Sequence, residues 1–68
     1  MDDSYKELEG ILAGVASKLN EAAFLIRRLN LDTESNLKRI GRSLSPIYEI
    51  QNEIYEIKPD LKPEHLKE

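Results

Sequence analysis

The chain has 68 residues with no cysteine and one histidine, which leaves disulfides, thiolate zinc sites and histidine metal clusters without ligands. Charged residues make up 34% of it at a net charge of −3, a balance that favours solubility and argues against a strongly electrostatic partner for the molecule as a whole. One domain of this length buries a small fraction of its surface, so association is the expected supplement to its core.

The longest apolar run, Ala22-Ala23-Phe24-Leu25-Ile26, falls far short of the roughly 20 residues that span a bilayer. The opening Met1-Asp2-Asp3 is acidic, where secretory and mitochondrial leaders are basic. A cytoplasmic protein is expected.

Ser4-Tyr5-Lys6-Glu7 has the form of a capping box, with Ser4 as cap, and predicts a helix start. Leu8, Leu12, Val15, Leu19, Ala22, Ile26 and Leu29 then follow at alternating steps of four and three, the spacing of a seam between packed helices. Asn30 suits a left-handed stop, with Leu31 folding back on Ile26. The first helix is therefore expected over 4–29.

Asp32 and Thr33 are both good N-caps, and Glu34 places negative charge where a second helix begins. So short a connection predicts antiparallel neighbours. Leu37, Ile40, Leu44 and Ile47 continue the seam, and the phase then slips to Ile50, Ile54, Ile57 and Leu61 beside Pro46. Proline cannot donate to the carbonyl of Arg42, so the helix either kinks or restarts with Ser45 as cap; the kink is preferred because the flanking residues are good helix formers. Ile-Tyr-Glu-Ile occurs at 47–50 and again at 54–57, a heptad that keeps one apolar face on a neighbour. Pro59 closes the helix. The hairpin domain is expected over 1–58 and a mobile tail over 59–68.

Both helices carry apolar surface over about half their circumference, more than one neighbour covers. The expected fold is all-α, an antiparallel two-helix hairpin, kinked near Pro46, that dimerises into a four-helix bundle. Gly10 to Ser17 carries no charge, and Gly10, Ala13, Gly14 and Ser17 are small residues that let another backbone approach. They are expected in the dimer interface together with Ile47, Ile50, Ile54 and Ile57. A membrane dimer through the Gly-x-x-x-Gly pattern does not suit so short and charge-flanked a segment.

Charge is unevenly distributed: residues 1–17 carry −3, residues 18–48 carry +3 and residues 49–68 carry −3. A hairpin gathers Arg27, Arg28, Lys38, Arg39 and Arg42 at its turn and the acids at its open end. Turn-to-tail pairing of two copies then matches opposite charges. These cations and Phe24, beside Asn20, form the candidate partner-binding surface.

The chain shows no nucleophile, histidine and acid in a triad context, no phosphate loop and no metal-ligand spacing. His65 is expected to be a lone solvated imidazole, and Tyr5, Tyr48 and Tyr55 suit a bundle edge. No cofactor is expected, and the chain is expected not to be an enzyme. A hairpin dimer of this plan is similar in architecture to the small Rop-like RNA-binding bundles, through periodicity alone. The expected function is a small protein interaction module, a regulator or adaptor. The alternatives are nucleic-acid binding by the basic turn and an obligate subunit of a larger complex.

Overall fold

The computed structural model describes residues 3–63. Helix α1 spans Ser4–Leu29, helix α2 spans Thr33–Ile57, and a short 3-10 turn covers Pro59–Leu61. The two helices lie antiparallel against each other, and no strand occurs among the described residues.

α1 begins one residue ahead of the capping box. Asp3 is the N-cap, its carbonyl accepting the Glu7 N–H at 3.0 Å, and Ser4 is the first helical residue. Glu7 in the first turn and Arg27 and Arg28 in the last complement the helix dipole. The stop forms at the expected place: Asn30 is left-handed at φ 51° and ψ 47°, its N–H donates to the Arg27 carbonyl, and the Leu31 N–H donates to the Ile26 carbonyl at 3.1 Å. Asparagine tolerates this conformation better than most residues with a side chain. Leu31 itself stays exposed, so the stop is held by backbone bonds.

Asp32 caps α2 by position only. Its side chain makes no capping bond, and its own φ is +36°. Asn36 closes the turn instead, its Nδ2 donating to the Leu31 carbonyl at 2.7 Å, while Thr33 Oγ1 donates to Asn30 Oδ1 at 3.4 Å.

α2 runs through Pro46 as one helix, so a restart capped by Ser45 does not occur. Pro46 is exposed, which lets water reach the Arg42 carbonyl that the missing N–H leaves unpaired. Past Ile57, the Leu61 N–H donates to the Lys58 carbonyl at 3.0 Å, and Leu61, Lys62 and Pro63 are half-buried. The stretch expected as a tail opens with this 3-10 turn, set against the end of α2. His65 and Leu66 lie outside the described residues.

The contact between the helices is thin. Leu12, Ala16 and Ile54 are its buried apolar residues, joined by Gln51, and Leu19, Ala22, Ala23, Ile26, Leu37, Ile40, Leu44 and Ile47 border it half-buried. No described side chain is fully enclosed. Full burial of a leucine or isoleucine stabilises by about 1.5–3 kcal/mol, and the bordering residues realise only part of that.

Candidate functional site

The Tyr55 hydroxyl donates to Glu9 Oε1 at 2.8 Å, joining the helices near their open end. Burial above all, then the bond to Glu9 and its negative charge, push the Tyr55 hydroxyl up to about 12. The bond also fixes which flanks of the helices share a side. At about 100° per residue, Glu9 lies on one flank of the α1 contact stripe, and Leu8, Ile11 and Val15 lie on the other. Tyr55 lies on one flank of the α2 stripe, and Ile50 and Ile57 on the other. Because Glu9 and Tyr55 meet on one broad side of the hairpin, the opposite side collects Leu8, Ile11, Val15, Ile50 and Ile57.

All five are exposed, Ile11 at 57% and Ile57 at 55%, and they occupy one level of the antiparallel pair, near its open end. Ala22 and Leu29 continue the apolar line along α1 toward the turn. Contiguous apolar surface of this kind marks an interaction site more often than scattered exposed residues do.

The same geometry explains the two seams legible in the sequence. The line from Leu8 to Leu29 is centred about 45° round α1 from the stripe that meets α2. Leu8, Val15 and Leu29 are accordingly exposed, while Ala16 is buried and Glu9 and Ala23 are half-buried. In α2 the contact stripe keeps its phase through Ile47, Gln51 and Ile54. Gln51 fills a position that patterning reserves for an apolar residue, and no polar side-chain atom among the described residues is buried without a partner. The apparent slip beside Pro46 is a second apolar face, carried by Ile50 and Ile57.

The residues expected in a dimer interface fall into three groups. Gly10, Ala13, Gly14 and Ser17 lie exposed on the outward side of α1, and a Cβ added at Gly10 or Gly14 meets nothing within 4 Å. Ile54, at 3% exposure, is enclosed by the hairpin's own contact, with Ile47 half-buried beside it. Only Ile50 and Ile57 stand on the open apolar face.

Phe24 is 62% exposed on the Glu9 side, where Arg27 also points. Arg28 and Lys38 point outward, Lys38 within 3.6 Å of Glu34. Arg42 points outward as well, and Arg39 lies toward the apolar face, its Nη1 donating to Asn36 Oδ1 at 2.8 Å. The five cations share one end of the molecule and are spread over three of its sides. Lys18 pairs with Glu21 at 3.1 Å, an exposed contact of small worth.

Among the described residues no group of three or more acidic or histidine side chains converges as a cation site. An open cleft of ≈ 330 Å³ lies where the 3-10 turn meets α2, lined by Asn52, Tyr55, Glu56, Pro59 and Lys62. No helix among the described residues is long and apolar enough to cross a membrane. Comparison of the chain with protein-family models, curated proteins and solved structures finds no match. The fold and its surface define a two-helix antiparallel hairpin with one uncovered apolar side.

Proposed function

We propose that this protein is a small non-catalytic interaction module, a regulator or adaptor, that acts as a homodimer in which two hairpins pair turn-to-tail as a four-helix bundle. The observation that carries this is the conjunction of a thin contact between α1 and α2 with a run of exposed leucine, isoleucine and valine beside it. A second hairpin covers that run and thickens the core in one step. The spread of the cations over three sides supports pairing with a partner's acids over a continuous phosphate track. Sedimentation equilibrium of the pure protein tests the proposal. A dimer at micromolar concentration is expected, and a folded monomer throughout that range overturns it.

A further inference from the structure

We propose that the second copy seats on the side formed by Leu8, Ile11, Val15, Ile50 and Ile57, leaving the glycine side of α1 and Phe24 facing outward. This rests on the homodimer proposed above and names its surface. In a four-helix bundle each helix has two neighbours, and its apolar residues point between them. The seam of α1 is displaced by about 45° from the contact with α2, and it is displaced toward this side. Ile50 and Ile57 are displaced toward the same side on α2. The outward side of α1 carries Phe24 and Leu25 as exposed large apolar residues, both toward the turn, and no apolar residue of α2 joins them there.

The area and the charge agree. The hairpin measures 46 × 22 × 18 Å, so its broad side projects about 1,000 Å², above the roughly 800 Å² per partner of a stable interface. A two-fold axis crossing the hairpins at mid-length pairs α1 with α1 and α2 with α2, both antiparallel. It runs between Val15 and Lys18 on α1 and near Pro46 on α2. Ile11 then falls opposite Ala22 of the second copy, a large residue against a small one, and Leu8 falls opposite Leu25. Arg39, which lies toward this side, reaches the level of Glu53 on the second copy's α2. Turn-to-turn pairing sets the two basic ends together and the two acidic ends together.

The chain has no cysteine, so single-cysteine variants report directly. A disulfide needs Cα atoms within about 7 Å, which only residues beside the axis satisfy. Val15→Cys is expected to oxidise to a covalent dimer on the order of ten times faster than Gly14→Cys or Asn20→Cys, by that same proximity requirement. Spin labels on Leu31→Cys, in the exposed turn, are expected about 40 Å apart, the length of a 26-residue helix at 1.5 Å per residue. Ile11→Lys is expected to raise the dimer dissociation constant at least about tenfold and Phe24→Lys to leave it unchanged, since one sits at the centre of the seat and the other outside it. Both side chains are exposed in the single hairpin, so neither substitution disturbs its own contact. A dimer that cross-links fastest through Gly14→Cys or Asn20→Cys, or that tolerates Ile11→Lys, overturns the seat while leaving the homodimer intact. Turn labels closer than about 20 Å, half that helix length, overturn the orientation. A wild-type monomer overturns the seat and the homodimer together.

Discussion

Replacing Tyr55 with Phe removes one hydroxyl and leaves the ring in place. The hydroxyl donates to Glu9 across the open end of the hairpin, in a part-buried setting. A protein hydrogen bond of this kind contributes about 1 kcal/mol net, and more when the acceptor is charged and water is excluded. Unfolding entropy near 2.1 cal/mol/K per residue converts about 1 kcal/mol into a melting temperature lower by roughly 7 °C for a chain of this size. The size of the loss also depends on pH, in a direction the structure fixes. Tyr55 is raised from its ordinary 10 to about 12 in the folded state, so the folded chain holds its proton where the unfolded chain releases it. The contribution is complete below pH 10 and is lost as pH rises from 10 through 12. Wild type and Tyr55→Phe, melted side by side at equal concentration, are therefore expected to differ most at neutral pH and to converge between pH 10 and 12. A gap that is absent at pH 7, or that persists unchanged at pH 12, refutes the assigned bond.

Three further outcomes are expected. Gly14→Ala is expected to raise the melting temperature by several degrees, because glycine costs about 1 kcal/mol against alanine inside a helix and open space surrounds the new methyl; no gain, together with a weakened dimer by sedimentation, places another backbone on that side. Pro46→Ala restores a donor to the Arg42 carbonyl within a continuous helix and is expected to stabilise by about 1–3 kcal/mol, the scale of an interior helical proline, with loss of melting temperature as the contrary result. Neither RNA nor duplex DNA is expected to shift in a gel at low salt; a shift whose affinity falls log-linearly with salt moves the function to the nucleic-acid class.

The helices were legible because their boundaries are local. Asn30 tolerates a left-handed stop, Pro59 forbids continuation, and three-four spacing fills the interval between them. The start at Ser4 was legible but its cap was not: Asp3 and Ser4 are both acceptable caps, and composition alone does not choose between them. The turn depended on Asn36, five residues beyond the carbonyl it closes, and no short motif announces that bond. The apolar side was harder to find. Sequence periodicity records every apolar neighbour of a helix at once, so the seam from Leu8 to Leu29 is the bisector of two contacts. Dividing it needed the burial of Ala16 beside an exposed Val15, and the Glu9–Tyr55 bond to say which flanks share a side. Gln51 was illegible for the opposite reason, since a polar residue on a contact stripe reads as solvated until its neighbours are known. The basic cluster was legible as a charge run, but its spread over three sides follows from helical phase.

Folding coupled to association makes thermal stability depend on protein concentration. For a dimer, each tenfold rise in concentration adds about 1.4 kcal/mol. Set against unfolding entropy near 2.1 cal/mol/K per residue over both chains, this raises the melting temperature by about 5 °C. Circular dichroism melts over three decades of concentration are expected to show that steady rise, with helicity lost at the most dilute end. A single melting temperature across the whole range would show that the hairpin is stable alone, and its exposed leucine, valine and isoleucine side then has no structural need of a second copy.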